Sequence, residues 1–529
     1  MHRLVLARRS AVIAALVLVG SPVTVAAQQQ AAAAPPGLDR YIDSVMRAFS
    51  VPGMAVAIVK DGRVVVARGY GVKKLGQTGR VGPRTNFGIA SNTKIFTATA
   101  LGLLVEDGKI EWDAPVVRYL PAFAMYDPWV TREITVRDLL VHRSGLGLGA
   151  GDLLWWPSST YDRKEIVRRL RFIRPATSFR SAYAYDNVLY SVAGELIEAV
   201  SGQSWEEFVA SRILAKVGMT SSNVRHSQGG TGADAALPHA EVDGVVRPIA
   251  AFTSDNVNPA GGINSNAEDM AKWMIVQLDS GRLADGSRLF QPRTTRQLWR
   301  VVTPLSPGDP PPELSWMRAH LSGYALGLGV SDYQGRMILA HTGGLPGFVS
   351  QVTMVPELRL GIAVLTNQES GAAFQAVTYR VRDHYLAAPA HDYLAALRQL
   401  VARQSAAVAK QNASAAAARD SSSGPSLSLA RYAGTYTDPW YGDVSIALDQ
   451  GALVIRFSHT PSLTGDLAHW QHDTFVARWR DRELRADAFI TFALQPDGSI
   501  ERATMQAVSP DTDFSFDFQD LVLTPSRTP

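Results

Sequence analysis

Ser91-Asn92-Thr93-Lys94 sets a hydroxyl and an amine three residues apart at the head of an apolar stretch, Ile95 to Glu106, that reads as a helix. On one helical face the two side chains come within hydrogen-bond reach of each other. A serine hydroxyl is a poor nucleophile alone, and a desolvated, neutral lysine beside it can take its proton. The same spacing also describes a helix N-cap followed by an ordinary surface lysine, so its meaning rests on what accompanies it.

Two further clusters accompany it. Tyr185-Asp186-Asn187 opens a second helical pattern (Val188, Leu189, Val192, Leu196, Ile197, Val200), and His341-Thr342-Gly343-Gly344 precedes two β-rich runs, Phe348 to Val355 and Leu360 to Thr366. Taken singly, Tyr185 and His341 are ordinary core residues. In this order the three clusters resemble the motifs of the penicillin-recognising serine hydrolases, which include class C β-lactamases, DD-peptidases, D-aminopeptidases and related esterases. Tyrosine in the second motif and histidine in the third make the chain similar to the class C and DD-carboxypeptidase side of that group.

The likeness extends to Gly53 to Gly62 followed by Val64-Val65-Val66, a hairpin turning on Asp61-Gly62, and to Phe87-Gly88-Ile89-Ala90 leading into Ser91. It includes Ile134 to Leu146 and Pro259 to Ser265, and spans roughly residues 37 to 388, a plausible length for one catalytic unit. The resemblance implies an α/β (α+β) β-lactamase/transpeptidase-like fold, an antiparallel sheet covered by helices. It also implies roles. Ser91 is the nucleophile that forms an acyl-enzyme, and Lys94 and Tyr185 are the other catalytic residues, with either one as the general base. Asn187, His341, Thr342 and Gly343 bind substrate, and the backbone N–H groups of Ser91 and Gly344 form the oxyanion hole, where glycine makes steric sense. No cofactor and no metal are implied.

His341 departs from the lysine of the commonest third motif. A lysine sets a permanent charge beside a substrate carboxylate, whereas histidine near neutral pH carries charge only part of the time. This favours D-amino-acid peptides, amides or esters over a dedicated β-lactamase. The expected activity is therefore that of an exported serine hydrolase, a peptidase or esterase cleaving D-amino-acid peptides, β-lactams or related small acyl substrates. A slow-turnover protein that binds or senses penicillin or cell-wall peptides is the alternative. Neither an H-E-x-x-H metal pattern nor a G-x-S-x-G elbow occurs, which disfavours metallohydrolase and α/β-hydrolase readings.

At 529 residues and 46% hydrophobic content, the chain is long enough for large cores and more than one domain. Arg3, Arg8 and Arg9, an apolar run from Ala11 to Val19 and Val25-Ala26-Ala27 resemble a cleavable secretory signal over residues 1–27, and the run is short for a membrane span. Residues 28–388 are then the hydrolase domain, 389–428 an Ala-rich helix and Ser-rich linker, and 429–529 a β domain. In the last part, short alternating runs such as Val444 to Leu448, Leu453 to Phe457 and Phe489 to Leu494 argue for a small antiparallel barrel or sandwich, which resembles the lipocalin-like C-terminal domain of some family members. All three motifs precede residue 345, so the barrel is expected to stand outside the chemistry, while its aromatics and acidic surface could still narrow the active-site mouth, in its own subunit or a neighbour's, and select substrates by size.

With no cysteine, disulfides, thiol catalysis and thiolate metal sites are excluded together. The net charge is +4, and losing three arginines with the leader leaves +1, which asks for neither nucleic acid nor an anionic membrane as partner. The expected partner is a small-molecule or peptide substrate, and the expected location periplasmic or secreted. From residue 430 onward there are 8 basic and 14 acidic residues, an asymmetry that would suit docking of the barrel on a basic catalytic domain and would equally describe two solvated surfaces of different composition.

Overall fold

A computed structural model describes residues 33–526, so the expected secretory leader lies outside the described residues. The first elements of the described residues are helix α1 (Leu38–Ala48) and the hairpin β1 (Gly53–Lys60) and β2 (Arg63–Gly71). Its main helices are then α2 (Lys94–Glu106), α3 (Val188–Ser201) and α4 (Ala267–Leu278). Strands β3 (Thr303–Leu305), β4 (Ser322–Tyr324), β5 (Gly329–Tyr333), β6 (Arg336–Leu345), β7 (Phe348–Val355) and β8 (Leu360–Thr366) follow, then helices α5 (Gly371–Leu386) and α6 (Tyr393–Ala417).

The eight strands form one antiparallel sheet in the order β2-β1-β8-β7-β6-β5-β4-β3, so the N-terminal hairpin closes onto the last strand of the run. Strand alternation explains why both faces are covered. On β1, Met54, Val56 and Ile58 enter a core with Leu38 and Ile42 of α1 and with Phe374 and Val377 of α5. Ala55, Ala57 and Val59 enter the opposite core with Phe96 of α2 and Trp273 of α4, whose rings stack at 4.0 Å. This is the β-lactamase/transpeptidase-like architecture, an antiparallel sheet between helical layers.

The C-terminal part is a closed barrel of eight consecutive antiparallel strands, β9 (Gly434–Asp438), β10 (Gly442–Asp449), β11 (Ala452–Phe457), β12 (Thr464–Gln471), β13 (Thr474–Trp479), β14 (Ala488–Leu494), β15 (Ile500–Ala507) and β16 (Val522–Pro525). Closure removes the exposed edges a sandwich would keep. Tyr432, Phe457, Phe475, Trp479, Phe492 and Phe518 are buried together and fill its interior with packed rings.

The Ser-rich stretch between α6 and the barrel is tied down, since the backbone N–H and hydroxyl of Ser426 both donate to the Asp473 carboxylate. Barrel and catalytic core are also one continuous apolar cluster, in which Tyr161, in the loop of the helical domain, meets Tyr441. Among the described residues, two ion pairs cross from barrel to sheet domain, Arg247–Glu483 and Arg485–Glu369, with opposite polarity. No helix among the described residues is long and apolar enough to cross a membrane.

Candidate active site

Ser91 sits in a short 3-10 turn, Ala90–Thr93, that runs directly into α2. Ala90 holds φ +48°, a left-handed conformation costing a non-glycine residue about 1 kcal/mol or more. Surrounding bonds hold the turn in place. Ser350 Oγ donates to the Ile89 carbonyl at 2.8 Å and accepts from Asn92 Nδ2 at 2.8 Å, and the Ile263 N–H donates to Thr93 Oγ1 at 3.1 Å.

Helix α2 is apolar all round, because it runs through the core between α3 and α4, and this buries Lys94 completely. Its Nζ lies 3.0 Å from Ser91 Oγ, 2.7 Å from Asn187 Oδ1 and 3.1 Å from the Ala260 carbonyl oxygen. The last two are obligate acceptors. A neutral amine has two N–H bonds for them and one lone pair left, which faces the serine hydroxyl. Burial lowers the Lys94 pKa to about 7, with Asp152 and Asp186 opposing that fall. The amine is therefore available as a base near neutral pH.

Tyr185 lies beside the lysine, Nζ being 4.8 Å from its ring centroid. Burial holds its phenol pKa well above the usual 10, with the Ser91 hydroxyl acting in the opposite direction. The phenol is thus neutral and able to donate a proton. Asn187, at the N-terminus of α3, bridges two groups: its Oδ1 accepts from Lys94, and its Nδ2 donates to Asp152 Oδ2 at 2.9 Å.

His341-Thr342-Gly343-Gly344 lies within β6 rather than ahead of the strands. Up to Ala340 this strand pairs with β5, and beyond it that edge is unpaired while β7 continues on the other side. Thr342 and Gly344 are exposed, while His341, Gly343 and Leu345 point inward. The steric need for glycine falls on Gly343, where an added Cβ would stand 2.2 Å from the Ile89 carbonyl oxygen. At Gly344, where glycine was expected to matter, a Cβ would meet nothing within 4 Å.

His341 Nδ1 bonds the Thr342 carbonyl oxygen at 2.5 Å, which makes it the protonated nitrogen, so Nε2 accepts from the Tyr324 hydroxyl at 2.8 Å. Burial drives its pKa down to about 3, with the positive charge of Lys94 acting the same way. The imidazole is neutral at any ordinary pH. The part-time cation expected from this histidine is absent.

Ser91, Tyr185, Asn187, His341, Thr342 and Gly344 line a cavity of about 560 Å³ with Trp155, Trp156, Tyr183, Tyr324 and Leu345. No lysine or arginine is among the described lining residues, and Asp513 is their one carboxylate. Asp513, Phe514 and Ser515 belong to the loop before the last barrel strand, so the barrel stands in the wall of the site and not apart from it.

The three motifs thus converge, Ser91, Lys94, Tyr185 and Asn187 around the amine and His341, Thr342 and Gly344 along the facing strand edge. Sequence reasoning missed Asp152, Tyr324 and the loop from Asp513 to Asp517. Asp152, in Gly149-Ala150-Gly151-Asp152, belongs to no motif, and its only signal is an acid within a Gly-rich turn. Asp138 explains the segment from Ile134 to Leu146. Buried, it accepts from Arg143 at 2.8 Å and from Arg180, which anchors the approach to Tyr185.

A model described as Beta-lactamase matches residues 38–387, and one described as a domain of unknown function (DUF3471) matches residues 418–525. The chain is 30% identical over 446 residues to the unguisins hydrolase ungD' of Aspergillus campestris, covering 80% of this chain and 79% of that protein. In fold it is similar to the octameric penicillin-binding protein homologue from Pyrococcus abyssi, with a TM-score of 0.56, 20% identity and coverage of 88% and 97% of the two chains. It is also similar to the D-amino acid amidase from Ochrobactrum anthropi, with a TM-score of 0.54, 23% identity and coverage of 66% and 97%.

Proposed function

The chain belongs to the beta-lactamase family and is a serine hydrolase, and from that premise we propose that it cleaves neutral amide or ester bonds of peptides and related small acyl compounds through a Ser91 acyl-enzyme. The observation that carries this reading is the fully buried Lys94, with two carbonyl-type acceptors for its N–H bonds and its remaining position 3.0 Å from Ser91 Oγ.

In the reaction, Lys94 takes the Ser91 proton as Oγ attacks the acyl carbon. The backbone N–H groups of Ser91 and Gly344 receive the developing oxyanion. Collapse breaks the bond to the leaving amine or alcohol, which takes the proton from Lys94 through the Tyr185 hydroxyl, leaving an ester on Ser91. Water, deprotonated by the same amine, then attacks that ester, the acyl–Oγ bond breaks to release the acid, and Lys94 returns the proton to Ser91 Oγ. Lys94 is the base in this reading because its proton leaves near neutral pH, whereas that of Tyr185 does not.

The cavity also supports a substrate class. With His341 neutral and no lysine or arginine in the lining, a free carboxylate beside the scissile bond finds no counter-charge, while the rings of Trp155, Trp156, Tyr183 and Phe514 suit an apolar acyl group. D-amino-acid amides and esters fit that description, and the name of the amidase neighbour agrees with it. Export through cleavage after residue 27 completes the proposal, and mass spectrometry of the mature N-terminus checks it.

A panel of p-nitrophenyl esters, D-amino-acid p-nitroanilides, D-Ala-D-Ala peptides and nitrocefin tests the function. Turnover of the neutral esters and anilides above the two carboxylate-bearing substrates is the expected order. A single burst equal to the enzyme concentration, with no later turnover, would favour the binding or sensing alternative.

A further inference from the structure

We propose that Ser515 and Asp517 of the barrel are positioning residues for Lys94, acting through Asp152 and Asn187, so that the catalytic amine is fully oriented only with the barrel docked. This inference rests on the reading of Lys94 as the base.

An unbroken path of buried hydrogen bonds joins the two domains. Lys94 donates to Asn187 Oδ1, and Asn187 Nδ2 donates to Asp152 Oδ2. The same Oδ2 accepts from Ser515 Oγ at 2.8 Å, and Asp152 Oδ1 accepts from Trp155 Nε1 at 2.8 Å. Asp517 grips the backbone on either side of Asp152, receiving the Gly151 N–H at 2.6 Å and the Leu153 N–H at 3.0 Å. Asp152 and Asp517 are wholly buried and Ser515 is 4% exposed, so solvent replaces none of these bonds in the folded state. Gly149 closes the contact with φ +70°, and a Cβ there would stand 2.6 Å from the Phe514 carbonyl oxygen.

An amide can present either its oxygen or its nitrogen, and only the oxygen holds a lysine N–H. Asp152 decides that orientation, because its Oδ2 accepts from Nδ2 and so turns Oδ1 toward Lys94. Burial raises the Asp152 pKa to about 7, and the donors Trp155, Asn187 and Ser515 oppose the rise. Without the Ser515 hydroxyl the carboxyl keeps its proton to higher pH, and Lys94 loses a counter-charge. The other groups that act on Lys94 stay in place. They are Asp186, the rings of Tyr185 and Tyr190, and His341 and His142, which share its surroundings. Asp517 is the remaining acid beside Asp152.

The test is the pH profile of kcat and kcat/KM on a small neutral p-nitrophenyl ester for full-length Ser515→Ala, Ser515→Thr, Asp517→Asn, Lys94→Ala and Glu483→Gln. Ser515→Ala is expected to lower kcat about 10-fold with KM within about 2-fold, and to move the acid limb to lower pH by roughly half a unit. Ser515→Thr keeps the hydroxyl and restores both. Asp517→Asn, which keeps one acceptor oxygen, falls between them. Glu483→Gln weakens a docking contact that lies outside the path from Ser515 to Lys94, to Arg247 and the Ala250 N–H, and is expected to keep the wild-type profile. A wild-type kcat and profile in Ser515→Ala, or the same change in Glu483→Gln, would overturn the proposal. Wild-type rates in Lys94→Ala would instead remove the base assignment itself, so the two failures are distinguishable.

Discussion

Lys94 has three polar neighbours and, when neutral, two N–H bonds, and that mismatch defines its chemistry. Ser91→Ala is expected to abolish covalent labelling by a fluorophosphonate while the protein still melts cooperatively. Lys94→Ala should lower kcat/KM by about 10² to 10⁴. The pH dependence has a definite sign. Lys94 works deprotonated, so kcat/KM should rise as pH rises through about 7 and level off above it, and this acid limb belongs to the coupled Lys94–Asp152 pair. His341 contributes nothing to that profile, because burial has already removed its proton far below neutrality. The ratio of KM values for a carboxylate-bearing peptide and its neutral amide should accordingly follow the same pH course in the wild type and in His341→Gln in direct kinetic measurement. A climb through the ordinary histidine range that His341→Gln abolishes would restore a charged His341. Sequence alone permitted either base, since a desolvation cost depends on neighbours far along the chain.

Strand β6 changes role midway, a paired core strand up to Ala340 and an open edge beyond it, and the Gly-Gly pair falls on the open part. A substrate backbone can add to such an edge as an extra strand, which is how a short segment recognises peptides without a large pocket. The two glycines should then respond differently to alanine. Gly343→Ala drives a Cβ into the Ile89 carbonyl oxygen, so a stability loss of about 1 to 3 kcal/mol and a larger loss of activity are expected from the displaced Ser91 turn. Gly344→Ala has open space around the new methyl and should melt near wild type, with any effect confined to kcat/KM. Matching thermal melts for the two variants would show that β6 does not press on the nucleophile turn. The motif was legible as a string. Its place inside a strand was not, because two glycines interrupt the alternation by which strands are recognised, and the contact with Ile89 joins residues more than 250 positions apart.

At the scale of the whole molecule, the barrel shares an apolar core with the catalytic unit and sends Asp513, Phe514 and Ser515 into its wall. A chain ending near Asp420 is therefore expected to lose most of its turnover even on a small ester, and to melt earlier because apolar surface around Tyr161 becomes exposed. Full small-ester activity in a cooperatively melting truncation would return the barrel to the separate role that the Ser-rich linker suggested. By itself the sequence determined the elements: amphipathic and apolar periodicity marks α2, α3, β7 and β8, and the Ser-x-x-Lys, Tyr-x-Asn and His-Thr-Gly strings mark the chemistry, because both are local relations between residue types at short spacing. Tertiary structure alone decided the choice of Lys94 over Tyr185 as base, the protonation of His341, the recruitment of Asp152, and which barrel loop enters the site. Each of these depends on which groups lose water together, and that is set by contacts between distant segments that leave no spacing to read.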